Sequence, residues 1–303
     1  MENNKIEFYI DELISKFTNE EITKKEFKDQ LICLVNDKHI SLKPTKKIIQ
    51  NNVKIEGNPL VEIKNLTKQY KGRKQQAISN ISFNIYPGQF HAFIGANGAG
   101  KTTTIKSIIS AYSKYKYTGE IKINGYYNYT SEGKSLLGYI PEEAKFPKKM
   151  STKTYLMNMA NLSGLSKSEA KQKVNSIINN LGINELSNKC PESFSSGQKK
   201  KILLAQALIH NPKVLIMDEP AANLDPLARN ELFDNLLKLQ QEGKAIFLSS
   251  HILDEVGKYA TYVTILDGGK IVYDGTVNNH QNLNDLYRKY VKLGSTDNST
   301  NNN

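Results

Sequence analysis

Between residues 60 and 125 apolar and polar positions alternate with a period of two. Leu60-Val61-Glu62-Ile63-Lys64, Ile81-Ser82-Phe83-Asn84-Ile85 and Gly119-Glu120-Ile121-Lys122-Ile123-Asn124-Gly125 each predict a half-buried strand. Phe90, Ala92 and Ile94 alternate with His91 and Phe93 to predict another, entered from the turn Tyr86-Pro87-Gly88. The first three are expected to form an antiparallel layer around this fourth strand. From about 144 to 210 the period becomes helical, with Ser166-Lys167-Ser168-Glu169 as a capping box and Gly182 as a stop after Leu181. Val214-Leu215-Ile216-Met217 and Ala245-Ile246-Phe247-Leu248 are short continuous apolar runs, the pattern of central parallel strands covered on both faces. Between them Pro226 to Gln241 fits a helix that opens on Pro and ends at Gly243. Strand alternating with helix predicts an α/β core.

The two ends differ from this core. Ile6, Tyr9, Ile10, Leu13 and Phe17 keep helical spacing, and Thr18-Asn19-Glu20-Glu21 caps a second amphipathic run through Ile22, Phe27, Leu31, Leu34 and Val35. With Pro44 and the basic, polar stretch to Gly57, residues 1–58 read as a helical N-terminal appendage and linker. Leu266-Asp267-Gly268-Gly269-Lys270-Ile271-Val272-Tyr273 predicts a hairpin turning at Asp267-Gly268. Leu283, Leu286, Tyr287 and Tyr290 predict a last helix, and Ser295 to Asn303, polar and low in complexity, is expected to be disordered. The resulting division is an extension at 1–58, a main domain at 59–278 whose helical part spans about 144–210, and a tail at 279–303.

Composition changes this picture little. A chain of 303 residues can bury one large domain or two modest ones, and no apolar run approaches the about 20 residues that span a bilayer. The start has no basic region followed by an apolar one, so a cytoplasmic location is expected. Cys33 and Cys190 are far apart, which argues against a zinc site or a disulfide scaffold. The net charge of +11 is spread along the chain as on a solvated lysine-rich surface, and nucleic acid is not an expected partner. There is no internal repeat.

The chemistry begins at Gly95-Ala96-Asn97-Gly98-Ala99-Gly100-Lys101-Thr102-Thr103, which has the spacing G-x-x-x-x-G-K-T between a predicted strand and a predicted helix. Such a P-loop curls its backbone N–H groups inward onto phosphate oxygens, and the following helix adds its positive end. Lys101 is placed to reach the outer phosphates and the Thr102 hydroxyl to hold Mg²⁺. Val214-Leu215-Ile216-Met217-Asp218-Glu219-Pro220 is a Walker B strand: Asp218 supplies a hard oxygen for Mg²⁺, and Glu219 is placed to polarise an attacking water.

Ser193-Phe194-Ser195-Ser196-Gly197-Gln198, followed by the helical run Lys201 to Ile209, resembles the signature segment of ATP-binding cassette (ABC) ATPases. Asn223-Leu224-Asp225 resembles that family's D-loop, Ser249-Ser250-His251 its switch histidine, and Gly138-Tyr139-Ile140-Pro141-Glu142 its Q-loop, while Tyr70 stands where the family stacks an aromatic on adenine. The resemblance covers about Leu60 to Gly275. It implies a P-loop NTPase core with a mainly parallel sheet, an antiparallel β subdomain and a helical subdomain. It also implies ATP held by Tyr70, Gly95, Asn97, Gly98, Ala99, Gly100, Lys101, Thr102 and Thr103, and closed over by Ser195, Ser196, Gly197 and Gln198 of a second cassette. Catalysis would fall to Lys101, Glu219 and His251, and Mg²⁺ to Thr102, Asp218 and Glu142. The partners implied are an integral membrane transporter subunit and a second copy of the chain or a paralogous cassette, at the inner face of the cell membrane. A soluble ABC ATPase working on ribosomes or nucleic acid is the rival reading.

Three departures from the family pattern stand out. Glu142, followed by Glu143, occupies the usual Q-loop glutamine position, and this Pro-Glu-Glu form resembles export-type bacterial cassettes. Ser196 replaces a glycine, which adds a side chain expected to face the opposite nucleotide. Lys199-Lys200-Lys201 replaces an arginine-containing run.

Overall fold

The computed structural model describes residues 57–112, 116–143, 145–277 and 282–296. The helical extension read at 1–58 lies outside them, apart from its last two residues. Strands β1 (Val61–Lys68), β2 (Ile78–Ile85), β4 (Thr118–Ile123) and β5 (Tyr126–Tyr127) form one antiparallel sheet in the order β2-β1-β4-β5. Strands β3 (Phe90–Ile94), β6 (Leu137–Ile140), β7 (Val214–Met217), β8 (Ala245–Ser250), β9 (Tyr262–Asp267) and β10 (Lys270–Thr276) form a second sheet in the order β10-β9-β3-β8-β7-β6. In the second sheet all neighbours are parallel except β9 and β10. The strand leading to the P-loop is therefore central in the parallel sheet. The antiparallel layer is a separate sheet lying over it, not a set of partners around it.

Side-chain alternation explains how the two sheets share β3, β7 and β8. Phe90, Ala92, Ile94, Leu215, Met217, Ile246 and Leu248 face one core with the helices. Phe93, Val214, Ile216, Ala245 and Phe247 face the other, where they meet Ile63, Leu66, Ile81 and Phe83 of the antiparallel sheet. Phe83 stacks on Phe93 at 5.4 Å and on Phe247 at 5.8 Å between ring centres, so one aromatic joins the layers. Burial on both sides is why β7 and the first four residues of β8 are continuously apolar.

Helix α1 (Lys101–Ile108) follows β3 after the loop at 95–100 and buries Ile105 and Ile108 between the sheets. A one-turn helix, α2 (Ser131–Ser135), is capped by Thr130. The region read as helical holds α3 (Thr152–Leu162), α4 (Lys167–Asn180) and α5 (Ser196–Leu208). The Ser166–Glu169 capping box forms in both directions, and Gly182 takes φ 62 just past α4. Leu156, Ala160, Val174, Ile178 and Ile202 pack into the same core as the parallel sheet, so these helices are continuous with it. Helix α6 (Pro226–Gln241) starts on Pro as expected, with Asp225 accepting from the Ala228 N–H as its cap.

The hairpin between β9 and β10 pairs Asp267 with Lys270, so its two turn residues are Gly268 and Gly269, one residue beyond the expected position. After the short α7 (Leu253–Val256), α8 (Leu283–Thr296) buries Leu283 and Leu286 against the core and extends through Ser295 and Thr296, which composition alone had left irregular. Among the described residues no helix is long and apolar enough to cross a membrane.

Candidate active site

The loop between β3 and α1 is shaped by close approaches that exclude side chains. A Cβ on Gly95 would meet the Leu266 carbonyl oxygen at 2.5 Å, and one on Gly100, whose φ is 110°, would meet the Ala77 carbonyl oxygen at 2.6 Å. Both glycines are thus dictated by sterics. The loop opens onto a cleft of about 320 Å³. Its wall carries Asn97, Gly98, Gly100, Lys101, Thr102 and Thr103 from the loop and α1, with Tyr70, Glu142, Glu219 and His251 from four other segments. Gly95 and Ala99 are turned away from the cleft and shape the loop from behind: the Gly95 carbonyl accepts from Lys101, and the Ala99 carbonyl accepts from the Gly269 N–H.

Lys101 is buried and folded back over its own loop, donating from Nζ to the Gly95 carbonyl at 2.7 Å and the Ala96 carbonyl at 3.3 Å. The same ammonium lies 3.3 Å from Glu219 Oε1. The other Glu219 oxygen lies 2.9 Å from His251 Nδ1. One carboxylate therefore bridges the P-loop lysine and the histidine at the end of β8. Glu219 comes directly after Asp218 at the end of β7, so two acids leave the strand in different directions: the Glu219 backbone turns into the left-handed region at φ 43, and its side chain faces the cleft.

Asp218 Oδ1 accepts from the Thr102 hydroxyl at 3.2 Å and from the Ser249 hydroxyl at 2.8 Å. Thr102 and Asp218, 116 positions apart in sequence, thus present two hard oxygens side by side. Among the described residues no cluster of three or more His, Cys, Asp or Glu could hold a metal alone. Two protein oxygens beside a phosphate cradle suit Mg²⁺, which keeps waters and takes its remaining ligands from phosphate. Ser249, which sequence reasoning passed over as a neighbour of His251, also accepts from the Glu219 N–H at 2.9 Å and so ties both acids to β8.

Tyr70 is fixed by its hydroxyl, 3.1 Å from Thr103 Oγ1 and 2.7 Å from the Tyr112 hydroxyl. That leaves its ring on the cleft wall beside Arg73 and Ala77, two lining residues that no motif had singled out. Lys200 is a further finding. It is the buried member of the Lys199-Lys200-Lys201 run, 5% exposed, and donates to the carbonyls of Pro141 at 3.0 Å and Glu142 at 2.9 Å. Burial lowers its pKa to about 8, with Glu142 and Asp218 opposing that shift.

Ser195, Ser196, Gly197 and Gln198 stand outside this cleft, at the start of α5. Ser195 and Gln198 cap the helix reciprocally. The Ser196 hydroxyl donates to the Asn223 carbonyl at 2.8 Å, within its own chain.

The ABC transporter family model matches residues 78–222. The chain is 46% identical over 241 residues to a putative ABC transporter ATP-binding protein of Mycoplasma pneumoniae, covering 79% of this chain and 73% of that one. It is 31% identical over 232 residues to a lantibiotic transport ATP-binding protein of Streptococcus pyogenes, covering 77% and 97%. Among solved structures, an ATP-binding subunit of an ABC transporter superposes with a TM-score of 0.68 at 30% identity, over 76% of this chain and 99% of that one. The chain belongs to the ATP-binding proteins of ABC transporters and is an ATPase.

Proposed function

We propose that this chain is the ATP-hydrolysing subunit of an ABC exporter, working as a pair of cassettes and driving a separate membrane subunit from the inner face of the membrane. The observation that carries the reading is the separation within one chain: the P-loop cleft holds Lys101, Glu219 and His251, while Ser195 to Gln198 stand outside it. A helix N-terminus with free N–H groups is a site for anionic phosphate, and a second cassette set head to tail would bring it over the first cassette's nucleotide. Export is supported by the Pro141-Glu142-Glu143 form and by the likeness to a lantibiotic transport ATP-binding protein.

In this reading Tyr70 stacks on the base, the N–H groups from Asn97 to Thr103 cradle phosphate, and Lys101 exchanges Glu219 for the outer phosphate oxygens. Glu219 then takes the proton of the attacking water, and His251 orients the carboxylate that it already touches. Mg²⁺, held by Thr102 and Asp218 and reached by Glu142 on the cleft wall, would neutralise phosphate charge.

Fractionation tests the partner. The chain should resist salt extraction from membranes and co-purify with a protein of several apolar spans. Sedimentation with ribosomes or nucleic acid, and no such protein, would overturn the transporter reading.

A further inference from the structure

The segment from Glu219 to Asn223 carries the chain from β7 towards α6. Both its ends are non-glycine residues in the left-handed region, Glu219 at φ 43 and Asn223 at φ 59. This region is costly for Glu219 and persists there only where the surroundings hold it, whereas asparagine enters it readily. A serine from a different element holds each end. At the front, the Glu219 N–H donates to Ser249 Oγ at 2.9 Å. At the back, Ser196 Oγ donates to the Asn223 carbonyl at 2.8 Å. Between them the Ala222 N–H donates to the Glu219 carbonyl at 3.1 Å, and just past the back end the Leu224 N–H donates to the Ala221 carbonyl at 3.4 Å.

The back latch is fixed in place by packing. A Cβ on Gly197 would come within 2.8 Å of Ala228 Cβ, so the first turn of α5 sits directly on the first turn of α6. Arg229 of α6 in turn donates from Nη2 to the Leu224 carbonyl at 2.9 Å and pairs with Glu255 of α7. A hydroxyl has one proton to give. With that proton on Asn223, Ser196 has none for a phosphate oxygen.

We propose that Ser196 is a positioning residue for ATP hydrolysis: it latches the far end of the strained segment that begins at Glu219, and so keeps the Glu219 carboxylate between Lys101 and His251. The proposal rests on the ATPase activity and is independent of the exporter reading, and the exchange measurement below reads the contact within one chain whether or not two cassettes pair. It also accounts for a serine where the family pattern has glycine, since glycine offers no hydroxyl to the D-loop.

The test compares Ser196→Ala, which deletes the bond and is tolerated in a helix's first turn, with Ser196→Thr, which keeps a hydroxyl. Steady-state hydrolysis by the full chain should show kcat lowered about fivefold in the alanine variant, the worth of one neutral hydrogen bond. KM for ATP should stay within about twofold, and threonine should restore kcat to within about twofold of the parent. Amide hydrogen exchange over 219–224, read without nucleotide, should quicken in the alanine variant and return with threonine. An unchanged kcat and exchange rate in Ser196→Ala would overturn the latch. So would a raised KM with kcat intact, which would assign the hydroxyl to the nucleotide itself.

Discussion

Lys101 and Glu219 hold each other across 3.3 Å at the floor of the cleft, both almost fully buried. An ammonium and a carboxylate out of water stabilise one another only as a pair, and removing one leaves the other with an uncompensated charge. In the proposed function the lysine is held by the residue that an arriving phosphate would free. Lys101→Ala should weaken ATP binding by about 1.5–3 kcal/mol, roughly tenfold to a hundredfold or more, as a charged contact is lost. Titration with a fluorescent ATP analogue reads this directly, and an unchanged affinity would contradict the placement of Lys101.

Lys200 supports a prediction about the link between the signature helix and the segment after β6. Its ammonium ties α5 to the Pro141 and Glu142 carbonyls, beside the carboxylate that replaces the family's glutamine. Lys200→Met keeps the length of the side chain and removes both bonds. Losing the bonds costs stability, while losing a buried charge recovers part of it. A net loss of about 1–2 kcal/mol is expected, seen as a thermal midpoint lower by roughly 2–8 °C for a domain of this size. Lys199→Met and Lys201→Met, whose side chains are less buried, should each change it by less than about half as much. Equal effects from all three would contradict the pin.

His91 gives a pH prediction away from the site. Its ring lies in the core against Phe247 and Tyr262, with Nε2 2.7 Å from Thr264 Oγ1. The Thr264 hydroxyl proton goes to Asp274 Oδ1, so His91 Nε2 is the donor and Nδ1 is left without a partner. Burial pushes the His91 pKa down to about 3, against 6.5 for an unperturbed ring. The unfolded chain then binds a proton below pH 6.5 that the folded chain refuses until about pH 3. Stability from this group is full above 6.5 and falls with pH by up to about 1.4 kcal/mol per unit across that window. Denaturant unfolding should show His91→Phe losing about 2 kcal/mol less than the parent between pH 7.5 and 5. Parallel losses in the two proteins would mean that the ring protonates in place.

How much of this was legible depends on how local each feature is. The P-loop, the acids after Val214–Met217 and the Ser166 cap are written in residues within a few positions of one another, and the structure forms each as spaced. Lys200 was not legible. Three consecutive lysines look alike until the phase of α5 turns one of them inward. Ser249 serves Asp218 and Glu219 from 30 or so positions away, a pairing set only when β7 and β8 lie side by side. Strand β6 is four residues long and contains Gly138, too weak a pattern to separate from the Q-loop that follows. The partition of strands between two sheets was hidden for the same reason, since alternation tells which side chains are buried and not which strand lies alongside.

In the proposed function Glu219, held between Lys101 and His251, is the base that accepts the proton of the attacking water. Glu219→Gln keeps the shape, cannot take the proton, and releases Lys101 from its counter-charge. The decisive measurement is phosphate release in a single turnover with bound Mg-ATP, comparing this variant with the parent. The variant should bind ATP at least as tightly as the parent and release phosphate about 10²–10⁴ times more slowly. Release at the parent rate from a variant that binds ATP normally would contradict the account and place the base elsewhere.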